Sequence, residues 1–344
     1  MKRAGILGLP RAGKTTVFEI LMQGAGSATP SREQVGVVRV PDDRVDRLSA
    51  LYQPKKTTYA TIQFVDSAAA GQGSARAAAK GPDLFGSVRQ CDALVLVVRD
   101  FTAGGEAPDA ARDVRALEAE LILNDLAIVE ARMEKVAKEL RIGKKQNQAE
   151  HDLLERCKVA LEAERPLSEC GFNAEETRVL RGFQLLSLKP RLVVYNQDAA
   201  ARPHPVEPRS GMRAVALPAE LEREIVMLPA GEREAFRSGL GVTEDGLSLL
   251  IRACYELLGL IAFFTVGPDE CRAWEIHLGE TAVDAAGEIH SDLARGFIRA
   301  EVIEWDRLLE AGGQAKARER GWLRLEGREY VVKDGDCLEI RFNK

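Results

Sequence analysis

The sequence predicts an α/β protein interrupted by an antiparallel helical arm and followed by a smaller α+β domain, and three observations carry that prediction. Short apolar runs rich in Val, Ile and Leu recur at 4–7, 62–65, 93–98 and 191–195, and such runs separated by helical stretches suit a parallel sheet covered on both faces. Between the third and fourth run, Ile122, Leu126, Val129, Met133, Val136 and Leu140 repeat at alternating four- and three-residue steps, the spacing of one long amphipathic helix. From about Ala262 the texture changes to short β-type runs with turn signals, at 263–266, 272–276, 297–303, 330–333 and 337–342.

Taken in order, the start Met1-Lys2-Arg3 with the apolar 4–10 has the outline of a leader, but the stretch is short and is cut by Gly8 and Pro10, so it is expected to form a first strand. Residues 16–21 suit the helix after it, and 61–66 a strand ending at Asp66. Beyond the break at Gly143-Lys144-Lys145, the stripe Leu154, Cys157, Leu161 gives a second, shorter helix that folds back on the first. In the last region, helices are expected around 285–293 and 306–320, and Asp334-Gly335-Asp336 marks a tight hairpin turn. The expected division is 1–111 with 188–260 for the sheet domain, 112–187 for the arm and 261–344 for the terminal domain.

Composition narrows the function classes. A chain of 344 residues with 45% hydrophobic and 29% charged residues has the makings of two or three packed domains, which excludes disorder throughout. The net charge of -5 argues against a protein that coats nucleic acid by charge alone. Six cysteines without C-x-x-C spacing and four histidines without paired spacing point to a reduced, cytoplasmic, zinc-free protein. Cys91 and Cys337 read as small core residues. The longest apolar stretch, 257–266, falls short of the ~20 residues that span a bilayer, so no membrane segment is expected.

The motif that carries chemistry is Gly8-Leu9-Pro10-Arg11-Ala12-Gly13-Lys14-Thr15, a complete G-x-x-x-x-G-K-[ST] set between an expected strand and an expected helix. Glycines are needed where backbone N–H groups turn toward phosphates, and the helix N-terminus adds further donors. Lys14 supplies a point charge to the β- and γ-phosphates, and the Thr15 hydroxyl is placed for Mg²⁺. The expected ligand is a nucleoside triphosphate held by Pro10, Arg11, Ala12, Gly13, Lys14, Thr15 and Thr16. Asp66, at a strand end, is the second metal-facing group, through a water on the ion.

These residues resemble the YchF family of Obg-like ATPases. The resemblance rests on the loop, the strand ending at Asp66, 94–101, the arm, and the C-terminal stretches Phe264-Thr265-Val266-Gly267, Arg272-Ala273-Trp274, Gly287-Glu288-Ile289-His290, Gly296-Phe297-Ile298-Arg299-Ala300-Glu301 and Val332-Lys333-Asp334-Gly335-Asp336. It implies a P-loop domain, an inserted coiled-coil arm and a terminal TGS domain of β-grasp, ubiquitin-like fold. It further implies a cytoplasmic protein that binds ATP and GTP, generally preferring ATP, and associates with ribosomes. His290 is expected to serve a structural hydrogen bond.

Departures from the family pattern bear on the activity. Where the family has D-x-A-G-L, this chain has Asp66-Ser67-Ala68-Ala69-Ala70, with Ala70 in place of the water-positioning glutamine of ordinary GTPases and Ala69 in place of a glycine. The strand histidine that the resemblance implicates in hydrolysis aligns with Leu96, and the first switch shortens to 28–32, leaving Thr29 or Ser31 as metal ligand. The base-reading N-x-x-E segment becomes Asn196-Gln197-Asp198-Ala199, which keeps Asn196 and places Gln197 beside it. Arg11 stands where the family usually has asparagine, either pointing to solvent or acting as a built-in cation beside the phosphates. Lys135, Lys138 and Arg141 share a face near the arm tip, with Lys144 and Lys145 beyond, and suit a phosphate backbone or a solvated surface. The expected activity is a slow Mg²⁺-dependent nucleoside triphosphatase, with Lys14 as its catalytic charge and ribosomes as partner through the arm and terminal domain. The alternative is a non-hydrolysing, nucleotide-dependent binding protein with degraded switches.

Overall fold

The computed structural model describes residues 2–24, 35–66, 85–142, 147–198, 211–241 and 245–343. The chain begins with β1 (Lys2–Gly8), α1 (Lys14–Gly24), β2 (Val35–Arg39), α2 (Asp43–Tyr52), β3 (Lys56–Thr58), β4 (Thr61–Asp66) and β5 (Ala93–Asp100). Helices α3 (Ala110–Arg141), α4 (Gln148–Glu162) and α5 (Ala174–Arg181) precede the return into β6 (Arg191–Gln197) and β7 (Met212–Leu217). Then come α6 (Ala219–Met227), α7 (Ala230–Gly239) and α8 (Gly246–Leu257). By packing there are two compact units, Met1–Val38 with Gln63–Leu257, and Arg39–Ile62 with Leu258–Lys344. No helix among the described residues is long and apolar enough to cross a membrane.

The first unit is built on a sheet of order β2-β4-β1-β5-β6-β7, with β1, β5, β6 and β7 parallel. Ala93 to Val98 of β5 are all within 1% of complete burial, which is why the sequence there is an unbroken apolar run. Because β1 lies between β4 and β5, the strand order reverses around it. The crevice beyond the carboxyl end of β1 is therefore where an open α/β sheet offers a ligand site.

Helix α3 runs 32 residues from an Asp109 cap, whose side chain accepts from the Arg112 amide at 3.0 Å. Its first half faces the sheet through Ala110, Val114, Leu117 and Leu121, and its second half faces α4 through Ile122, Val129 and Val136 against Leu154, Cys157 and Leu161. The helix thus belongs to both the sheet cover and the arm. Asp125, fully buried where the two halves meet, accepts from the Leu186 and Ser187 amides (2.8 and 2.7 Å) and the Ser187 hydroxyl (2.6 Å). Burial pushes its carboxyl above the usual range, and these three donors oppose the shift.

In the second unit, β8 (Leu260–Thr265), β9 (Glu270–His277), α9 (Ala282–Ile289), α10 (Ser291–Arg295), β10 (Phe297–Glu304), α11 (Trp305–Ala311), α12 (Gln314–Glu319), β11 (Arg324–Glu326) and β12 (Asp336–Phe342) follow in order. The sheet order is β11-β10-β12-β8-β9-β3. Ala282, Ala285 and Ala286 of α9 seat it on Phe263, Ile276, Val302 and Leu338. The strand expected at 330–333 is only a single bridge, Thr281 to Val331, and the strand at Arg324–Glu326 had no clear signal in its charged sequence. The helix expected over 285–293 is two, broken at His290, which turns to extended backbone and accepts the Asp292 amide on Nδ1 at 3.1 Å. The one expected over 306–320 is also two, parted at Gly312 and Gly313, both at positive φ. Cys91 and Cys337 are buried, and burial pushes the Cys91 thiol up to about 11.

Residues 39–62, which the sequence places with the first sheet, pack in this second unit. Strand β3 extends the sheet by pairing parallel to β9, and α2 buries Val45 and Leu48 completely. Asp42 caps α2 by accepting the Arg44 amide at 3.0 Å. The Arg44 guanidinium holds Asp42 (2.8 Å) and Asp334 (2.6 Å) at once, and Asp334 in turn accepts the Ala262 amide of β8 at 2.9 Å. An amphipathic helix finds its cover where such partners are, and sequence proximity does not decide it.

All three tryptophans, Trp274, Trp305 and Trp322, lie in the second unit, so their emission reports its unfolding alone. Arg44→Ala removes charge-assisted hydrogen bonds from a partly exposed network and is expected to lower the stability of this unit by about 2 kcal/mol in denaturant titrations followed by tryptophan fluorescence. An unshifted midpoint would show that the network does not hold α2 in place.

Candidate nucleotide-binding site

At the end of β1 the chain turns through 9–13 into α1, closed by hydrogen bonds from the Ala12 amide to Leu9 O (3.3 Å) and from the Val17 amide to Gly13 O (3.0 Å). Two residues of the turn are left-handed, Gly13 at φ 95° and Arg11 at φ 64°. Glycine adopts this freely, whereas an arginine there carries on the order of 1 kcal/mol of strain. The glycines also answer to packing. A Cβ on Gly8 would lie 2.4 Å from Val97 O of β5, and one on Gly13 would lie 2.2 Å from Asn196 Nδ2.

Lys14, the first residue of α1, folds back so that Nζ donates to Gly8 O (2.8 Å) and Leu9 O (3.0 Å), which holds the ammonium at the loop. Burial lowers its pKa, and the Asp66 carboxylate opposes that shift, so the two charges sense one another. Asp66 ends β4, next to β1 in the sheet, and is 1% exposed. Pro10, Arg11 and Thr15 are exposed, Thr16 is half-buried and Ala12 is buried. The structure therefore brings the loop, Lys14 and Asp66 to one end of the sheet, beside the free amides of the first turn of α1.

Asn196 and Gln197, at the end of β6, are buried. Asn196 Nδ2 donates to Ala12 O at 3.0 Å, and its Oδ1 accepts from the Ala219 amide at 3.2 Å. Gln197 Nε2 donates to Asp100 Oδ2 at 2.8 Å. Asp198 is exposed. Sequence reasoning did not single out Asp100 or Ala219. The only signal for Asp100 is an acidic residue closing the apolar β5 run, and an amide such as that of Ala219 leaves no mark in a sequence. Leu96, aligned with the expected histidine, is fully buried in register with Leu7 and Val193. Thr29, Ser31, Ala69, Ala70, Lys144, Lys145 and Ala199 lie outside the described residues.

The chain is similar to known proteins along nearly its whole length. The family described as "YchF-GTPase_C: Protein of unknown function" matches residues 260–343. The chain is 39% identical to the ribosome-binding ATPase YchF of Bacillus subtilis (strain 168), covering 99% of each. It is 34% identical to the protein of that name from Escherichia coli O157:H7, again over 99% of each. Among solved structures, the Schizosaccharomyces pombe YchF GTPase superposes with a TM-score of 0.86 at 25% identity, over 99% of this chain and 97% of that one. With likeness of this degree along its whole length, the chain belongs to the YchF family.

Proposed function

We propose that this chain is a slow nucleoside triphosphatase that binds ribosomes, cytoplasmic, with ATP preferred and GTP accepted. The observation that carries the reading is the loop from Gly8 to Thr15, whose turn presses against the sheet while Lys14 holds its ammonium at the loop and Asp66 lies close enough to act on it. The relatives named for ribosome-binding ATPase activity share the whole length of the chain. Loop amides and Lys14 would bind the β- and γ-phosphates and offset charge that develops as the terminal phosphoryl group leaves.

The residues suit a magnesium ion. Thr15 is an exposed residue at the start of α1 and Asp66 ends the strand beside β1, and a hydroxyl with a carboxylate is an all-oxygen pair of the kind a hard cation takes. When bound, the ion would neutralise charge on the phosphates. Leu96, where the resemblance would place a histidine, is inside the core and carries no group that could take a proton. Rate enhancement then rests on positioning and charge, which favours slow turnover. The same observation supports a second reading, a binding protein whose nucleotide changes its partners without being cleaved.

For the ribosome, the arm offers a surface. Along α3 and α4, Arg132 pairs with Glu150, Lys158 with Glu130, and Arg156 with Glu176 of α5. Lys135, Lys138 and Arg141 by contrast are exposed at i, i+3 and i+6 and have no ion pair among the described residues. Three solvated cations on one face suit the phosphate backbone of RNA.

Lys14→Ala is expected to weaken ATP binding and phosphate release on the order of 100-fold or more, measured beside wild type with ATP and GTP in turn. Equal binding by the variant would remove the loop from the mechanism. Wild-type binding without phosphate release above the variant would select the second reading. Reversing charge at Lys135, Lys138 and Arg141 to Glu is expected to reduce ribosome co-sedimentation and to flatten its salt dependence, by about one unit of log–log slope per lost phosphate contact. Unchanged co-sedimentation would place the contact elsewhere.

A further inference from the structure

We infer that Arg11 is a phosphate-binding residue for the triphosphate tail, its guanidinium a second cation of the loop beside the Lys14 ammonium; the inference rests on the nucleotide-binding reading above. The backbone of Arg11 is strained, and nothing among the described residues of the protein holds its side chain.

The strain comes from a tight turn. The Ala12 amide donates to Leu9 O at 3.3 Å and closes a four-residue turn with Pro10 and Arg11 at its centre. Proline suits the second place of such a turn, and a third place at positive φ is one that glycine or asparagine takes with little strain. Here that place holds an arginine, at φ 64°. Gln53, another non-glycine residue at positive φ, ends α2, and its side chain returns a hydrogen bond to Ala50 O at 2.8 Å. Arg11 ends no helix and makes no bond of that kind. Strained residues of this sort persist where their surroundings or their task demand them, and they gather at ligand sites.

The side chain is exposed, and among the described residues it has no hydrogen bond, ion pair or ring contact. Exposed arginines elsewhere in the chain close onto a nearby carboxylate, as Arg223 does on Glu220 and Arg295 on Asp292. Within the loop the neighbouring acceptors are already engaged. Gly8 O and Leu9 O receive the Lys14 ammonium at 2.8 and 3.0 Å, Ala12 O receives Asn196 Nδ2 at 3.0 Å, and Gly13 O receives the Val17 amide at 3.0 Å. A full charge and a planar fork of N–H donors thus remain available beside the loop, and the groups that match such a fork are carboxylate and phosphate. Where main-chain amides and Lys14 already select phosphate, the guanidinium adds a charge-assisted contact to the same ligand.

A cation that binds phosphate and one that only faces water differ in what their loss does to a ligand with no base or sugar. The test measures binding of ATP, GTP and inorganic tripolyphosphate, each with magnesium, to wild type, Arg11→Gln and Arg11→Lys. Both variants keep a side chain at the left-handed position, and only Arg11→Gln removes the charge. Arg11→Gln is expected to weaken all three ligands by a common factor of about tenfold, and Arg11→Lys to stay within about threefold of wild type. Binding of all three by Arg11→Gln as in wild type would overturn the inference. So would a loss confined to ATP and GTP, which would put the guanidinium on the base or sugar, or an equal loss in the two variants, which would mean a disturbed loop and no role for the charge. Wild type binding none of the three would fail the nucleotide reading itself, a result distinct from any difference between variants.

Discussion

The turn between β1 and α1 is pressed so closely into the sheet that no side chain fits at two of its positions. At Gly8 the obstacle is the Val97 carbonyl of the adjacent strand, and at Gly13 it is the Asn196 amide of the strand beyond. Sterics of this kind fix the turn from beneath, while hydrogen bonds from Lys14 and Asn196 to loop carbonyls fix it from the sides. A loop held on several sides keeps its N–H groups in one arrangement before any ligand arrives, and preorganised donors are what make a phosphate site effective. The parallel strands, the long helix over them and the buried end of β6 all serve to hold that turn.

Much of this was legible in the sequence, for reasons that differ by element. The phosphate loop is a contiguous motif whose residues are dictated by local backbone chemistry, and β5 and β6 announce themselves because strands buried on both faces have no polar alternation. The arm was equally plain, since Ile122, Val129 and Val136 repeat along one face. What the sequence concealed is tertiary. Nothing local says that α2 and β3 join a sheet whose other strands lie two hundred residues on, or that Asp334 waits there for Arg44. Within the site, the roles of Asp100 and the Ala219 amide depend on which strands become neighbours. Motif spacing marks Asn196 and Gln197 but leaves open which way their amides turn.

The division of the chain into two packed units also bears on how it works as a covalent object. Between β2 and β4 the chain leaves the first unit, contributes a helix and an edge strand to the second, and returns to end at Asp66. The C-terminal sheet is therefore completed by residues that lie, in sequence, between the phosphate loop and its carboxylate. Arg44, Asp42 and Asp334 secure that insertion. An intact second unit thus requires the N-terminal part of the chain.

The central claim is that amides of the loop, aided by one ammonium, hold a triphosphate. Hydrogen exchange across the loop tests it most directly, comparing the segment from Gly8 to Thr16 with and without magnesium and a non-hydrolysable ATP analogue. The account predicts that this segment gains protection on adding the analogue and that the gain depends on its concentration. Saturable binding with unchanged exchange from Gly8 to Thr16, and protection confined to another part of the chain, would contradict it.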